Sequence, residues 1–151
     1  MFETPITVVG RLTNDPTRRT AGDQDVVKFR LASNTRRRTA EGDWQSGNTL
    51  YLNVNCWGQL VTGVAASLRK GDAVIVVGNV HTNEYDGRDG IHRQTLEMRA
   101  RAVGPDLSHY IVKLQRLQGL RDSDPQTPDV AAEVDDTDEA DGQDGPLPLS
   151  A

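Results

Sequence analysis

The sequence predicts an all-β domain with one short helix, followed by a disordered acidic tail. Three observations carry this reading. Five stretches are rich in β-branched residues, one stretch changes its apolar spacing from two to four, and the composition shifts abruptly near residue 118. Residues 1–118 hold 16 Lys and Arg against 12 Asp and Glu, whereas residues 119–151 hold one base, Arg121, against 10 acids; the whole chain carries −5. The domains are accordingly drawn as 1–118 and 119–151.

The first strand is "TPITVVGRL" (residues 4–12), closed by the turn formers Asn14, Asp15 and Pro16. The second is "VVKFRLASN" (26–34), with Val27, Phe29 and Leu31 on one face and Lys28 and Arg30 on the other. The third, "NTLYLNVNCW" (48–57), alternates more regularly still. In "GQLVTGVAASLRKGD", Leu60, Val64 and Leu68 fall four apart and Val61 and Ala65 join their helical face, with Gly71 as the expected helix stop. A long strand, "AVIVVGNVHTNEY" (73–85), then turns through "DGRDG" into "HRQTLEMRARAV" (92–103), where Leu96, Met98 and Ala100 share a face. Three strands, a helix and a hairpin, in that order, suit a five-stranded Greek-key barrel of the OB type. A five-stranded open sheet or sandwich with a covering helix competes with it.

The acidic segment has no aromatic residue and only scattered aliphatics between its prolines, so it buries too little apolar surface to offset its ordering entropy. It reads as a solubilising tail or as a competitor of nucleic acid for the domain's basic surface.

On the third strand, Leu50, Leu52, Val54 and Cys56 share one parity and fill the core of a barrel. Tyr51, Asn53, Asn55 and Trp57 share the other. Two aromatics flanking two amides offer stacking surfaces together with donors and acceptors for base edges or sugars. The plainer reading covers Tyr51 and Trp57 with a loop or a neighbouring subunit. Lys28 and Arg30 lie on the outward parity next door, and Arg36, Arg37, Arg38 and Trp44 follow in what reads as a mobile loop, "TRRRTAEGDW". Cations that track phosphates and rings that accept unstacked bases suit a single strand of nucleic acid; a solvated Arg-rich turn is the bland alternative.

Catalysis is not expected. Cys56 lies on the core parity, His81, His92 and His109 are scattered, and no HExxH, CxxC or phosphate-cradling glycine pattern is present. Asp86 and Asp89 read as turn residues. No metal or cofactor is expected. No run approaches the ~18 apolar residues that span a bilayer, no secretory signal is visible, and a single cysteine fits a reducing compartment, so a cytoplasmic, nucleoid-associated location is expected.

"TVVGRLTNDPTRR", "FRLASN", "CWGQLVTGVAASLRKGDAVIVVGNV" and "YDGRDGIHRQTLEM" closely resemble bacterial single-stranded DNA-binding proteins over about residues 3–107. "EGDW", "NVNCW" and "VGPDL" look like the actinobacterial form. The resemblance implies an OB fold, a homotetramer that wraps single-stranded DNA, and neither catalysis nor metal. It implies base stacking at Trp57, Tyr51 and Tyr85, and commonly basic positions at Arg11, Lys28, Arg30, Arg69 and Lys70. Arg37 departs from it, standing where some members carry a further aromatic. The ending "DGQDGPLPLSA" lacks the Ile-Pro-Phe tip that docks replication and repair enzymes, which points to the accessory paralogue and leaves such partners in doubt. The expected function is sequence-independent binding of single-stranded DNA in recombination, repair or replication. A primosome-type module whose main partner is protein is the alternative.

Overall fold

The computed structural model describes residues 2–118. The chain divides into two units, Met1–Leu117 and Gln118–Ala151; all of the second but its first residue lies outside the described residues, and with it the expected disordered tail.

Six strands and one helix follow one another: β1 (Thr4–Leu12), β2 (Thr17–Ala21), β3 (Gln24–Arg38), β4 (Trp44–Trp57), α1 (Leu60–Ser67), β5 (Ala73–Asp86) and β6 (His92–Pro105). They form a sheet in the order β1-β5-β6-β4-β3-β2, and a further β1–β3 pairing closes five of the strands into a barrel with OB topology. All neighbours run antiparallel except β4 and β6, which are parallel through Asn53↔Glu97, Val54↔Met98 and Asn55↔Arg99. The β1–β3 closure rests on two register pairs, Arg11↔Ala32 and Leu12↔Leu31. Close approach there requires glycine: a Cβ on Gly10 would lie 2.5 Å from the Ala32 carbonyl oxygen.

Alternation decides what fills the barrel. Val27, Phe29 and Leu31 from β3, Leu52, Val54 and Cys56 from β4, Val74 and Val76 from β5, and Met98 and Ala100 from β6 form one buried cluster. Helix α1 adds Val61 and Val64 to it, and its C-cap residue Leu68 joins them. No buried polar side chain is left without a hydrogen-bond partner among the described residues.

The structure corrects the sequence reading at four places. A sixth strand, β2, pairs with the first part of β3 through Thr17↔Lys28 to Ala21↔Gln24. Its five residues are all exposed, so it has no apolar alternation to betray it. Arg36, Arg37, Arg38 and Trp44 are not in a loop: β3 and β4 extend past the barrel as a ladder, with Arg36↔Ser46, Arg37↔Gln45 and Arg38↔Trp44 after a register shift near Asn34. Leu50, expected in the core, is 40% exposed because it lies where that ladder leaves the barrel. Gly71 does not stop the helix. Leu68 already takes an extended conformation, and Gly71 (φ 91°) instead forms the turn in which Asp72 N–H donates to the Arg69 carbonyl.

Candidate nucleic-acid interface

The outward residues of β3 and β4 meet in register. Arg30 lies opposite Asn53, Lys28 opposite Asn55, Ala32 opposite Tyr51 and Val26 opposite Trp57. The rows continue on both sides, to Thr17 on β2 beyond Lys28 and to Glu97 and Arg99 on β6 beyond the asparagines. Lys28, Arg30, Asn53 and Asn55 thereby line one open groove of about 480 Å³, joined by Thr17, Arg19 and Glu97. Cations stand on its β2–β3 side and amides on its β4 side.

The aromatics flank this groove. Tyr51 is 50% exposed, and the Arg30 Cζ lies 4.6 Å from its ring centroid, a cation–π distance. Trp57 is half-buried. Its register partner Val26 lies on the outward parity yet is only 1% exposed and stands outside the main core cluster. Lying between Trp57 and Arg19 in the ladder accounts for that burial. Trp44, 69% exposed, stands on the β3–β4 extension beside Arg36, Arg37 and Arg38. Tyr85 is exposed on the β5–β6 hairpin, opposite Arg93. These aromatics and the three arginines lie outside the groove lining and extend the face along the two hairpins.

Two of the expected cations, Arg11 and Arg69, spend their side chains on backbone carbonyls, and a third, Lys70, is fixed through its backbone. The Arg11 Nη1 donates to the Gly71 carbonyl at 2.9 Å. The Arg69 Nη1 donates to the Leu68 and Ala65 carbonyls at 2.7 and 3.1 Å, satisfying carbonyls at a helix end that has no basic residue in its last turn. Lys70 is anchored by its backbone N–H, which donates to Asp15 Oδ1 at 2.8 Å.

Arg19, Thr17, Glu97 and Arg99 were not anticipated from sequence. A signal for the first two existed: Gly22-Asp23 forms the two-residue turn of the β2–β3 hairpin, with Gly22 at φ 64°. Neighbouring Arg18 is paired with Asp25. Hydrogen bonds from Arg18, then Thr20, hold the Asp25 carboxyl below its ordinary value, and Arg19 is left facing the groove. Elsewhere, burial pushes the Cys56 thiol up to about 12, which removes it as a nucleophile. Among the described residues no three His, Cys, Asp or Glu side chains gather as a metal site, and no helix is long and apolar enough to cross a membrane.

The family profile described as "Single-strand binding protein family" matches residues 4–106. Among similar proteins, the single-stranded DNA-binding protein of Paenarthrobacter nicotinovorans is 36% identical over 118 residues, covering 77% of this chain and 69% of that protein. Single-stranded DNA-binding protein 2 of Streptomyces coelicolor is 39% identical over 121 residues, covering 78% of this chain but 60% of that protein. The solved structure of the second single-stranded DNA-binding protein from Mycobacterium smegmatis is 50% identical with a TM-score of 0.62, covering 76% of this chain and all of that one. That of the small single-stranded DNA-binding protein from Streptomyces coelicolor gives 33% and 0.65, covering 73% and 100%.

Proposed function

The chain belongs to the single-strand binding protein family, and from that premise we propose that it binds single-stranded DNA as an oligomer, largely independently of sequence. The observation that supports this most is the registered row of Lys28, Arg30, Asn53 and Asn55 between Tyr51 and Trp57. Phosphates follow the cations, and bases stack on the rings, which accept any base because every base has a π face. Arg36, Arg37, Arg38 and Trp44 prolong the path along the β3–β4 extension, and Tyr85 does so along the β5–β6 hairpin. Arg11, Arg69 and Lys70 add positive potential at its margin. No covalent step is needed: the protein would shield exposed strands during recombination, repair or replication. The division at residue 118 into a binding domain and an acidic tail, and a place in the cytoplasm, belong to the same reading.

Oligomerisation has a surface available. Val9 pairs with Ile75 and Thr7 with Val77 across β1 and β5, leaving three large aliphatic side chains together and exposed on the barrel's outer face. Adjacent exposed aliphatics of this kind favour covering by another subunit, and we assign four subunits to the assembly.

The test is a tryptophan-fluorescence titration with poly-dT at two salt concentrations, with mass from light scattering. Wrapping on cations and rings predicts quenching on binding, a steep loss of affinity as salt rises and a mass of four chains. Affinity no better than that of an acidic control protein would overturn the reading.

A further inference from the structure

The groove between β3, β4 and β6 contains one acid among its described lining residues, Glu97, facing Arg19, Lys28 and Arg30. A carboxylate in a polyanion's path repels phosphate, so the group that comes to rest beside it must be something other than backbone. The Glu97 side chain is 24% exposed and makes no Lys or Arg ion pair among the described residues; its nearest basic group is His81 Nε2, 3.8 Å away. Two amides hold it instead. Asn55 Nδ2 donates to Oε2 at 3.2 Å, and Asn83 Nδ2 donates to Oε1 at 3.3 Å. One bond on each oxygen fixes the plane of the carboxylate. A carboxylate accepts about four hydrogen bonds, so capacity remains on both oxygens.

We infer that Glu97 reads the pairing edge of guanine, placing a base preference on an otherwise indifferent groove. This rests on the proposed single-stranded DNA binding and deepens it. Guanine offers N1–H and an N2 amine side by side, two parallel donors for the two carboxylate oxygens. Thymine offers one N–H between two carbonyls that would face the carboxylate; cytosine and adenine each set one amine beside a ring acceptor. The placement suits a stacked base: Glu97 lies opposite Asn53, two residues along β4 from Tyr51. That separation is about 7 Å along the strand and one strand spacing, about 4.8 Å, across it, so a base held by the Tyr51 ring extends its edge toward Glu97.

The test measures anisotropy of labelled oligonucleotides of one length: all thymidine, thymidine with deoxyguanosine at every third position, and the same with deoxyinosine, which keeps N1–H and lacks only the N2 amine. The intact protein should bind the deoxyguanosine strand about fivefold or more tighter than the deoxyinosine strand. Glu97→Gln, which replaces one acceptor by a donor at unchanged size, should bring the two strands to equal affinity. A purely structural role for Glu97 would shift all three strands together. Equal binding of the two strands by the intact protein overturns the inference, as does a preference that survives in Glu97→Gln. Failure to bind even the all-thymidine strand would instead overturn the proposed function.

Discussion

The guanidinium of Arg30 lies over the ring of Tyr51, with Cζ 4.6 Å from the ring centroid. One face of the ring is therefore occupied by a cation, and an incoming base takes the other. A base, ring and cation stacked in that order polarise one another, so the two side chains act as one unit. Tyr51→Ala should weaken oligo-dT binding by about 1–3 kcal/mol. Combined with Arg30→Ala, the loss should fall short of the sum of the single effects by about 0.5–1 kcal/mol. A double-mutant cycle by fluorescence titration measures this, and strict additivity would separate the two residues.

The arginines beyond the barrel are held by a backbone ladder, to which the Arg38 side chain adds one long bond, from Nε to the Gly42 carbonyl at 3.4 Å. Changing Arg36, Arg37 and Arg38 together to alanine should therefore leave stability within about 0.5 kcal/mol per site, as for other exposed positions. Each phosphate contact on a single strand contributes about 0.7 to the slope of log affinity against log salt, so the triple variant should flatten that slope by about 2. Salt titrations of the two proteins side by side give the comparison; equal slopes would remove these residues from the path.

Arg69 belongs to the helix end before it belongs to any ligand. Its bonds to the Ala65 and Leu68 carbonyls predict that Arg69→Ala loses about 0.5–1.5 kcal/mol of stability, read by denaturant unfolding. Its effect on oligo-dT affinity should be smaller than that of Arg30→Ala. The reverse order of effects would make Arg69 a DNA contact first.

Cys56 supplies a pH test with a definite sign. Its thiol is raised from 9.0 to about 12 by burial, so the folded protein retains the proton after the unfolded chain has released it. The contribution to stability is present below pH 9 and is lost as pH rises from about 9 toward 12. At pH 8 the native thiol should resist alkylation and react fully once the chain is unfolded, as mass spectrometry would show. Rapid labelling of the native protein would place Cys56 nearer the surface than its burial implies.

The barrel was legible in sequence because its strands alternate. Val27, Phe29 and Leu31 against Lys28 and Arg30, and Leu52, Val54 and Cys56 against Asn53 and Asn55, settle which face is wet. That parity brought four groove residues together correctly. Where burial gives no alternation, the reading failed: β2 is exposed at every residue, and "TRRRTAEGDW" carries no apolar period to distinguish a ladder from a loop. Glu97 was missed for a different reason. Its neighbours Asn53 and Asn55 precede it by more than forty positions, and only the parallel β4–β6 pairing, which local pattern does not encode, sets them beside it.

The two-pair closure between β1 and β3 also determines how the molecule comes apart. Without it, the strand order β1-β5-β6-β4-β3-β2 still forms a continuous sheet, so losing Arg11↔Ala32 and Leu12↔Leu31, with the Thr13 N–H bond to the Arg30 carbonyl that prolongs them, would unroll the barrel and leave the other ladders in place. Opening at this point should cost less than global unfolding, and amides along it should exchange with solvent deuterium ahead of those at Val54 and Val76, as hydrogen-exchange mass spectrometry would show. The cylinder thus has a hem beside Gly10, the shortest of its ladders.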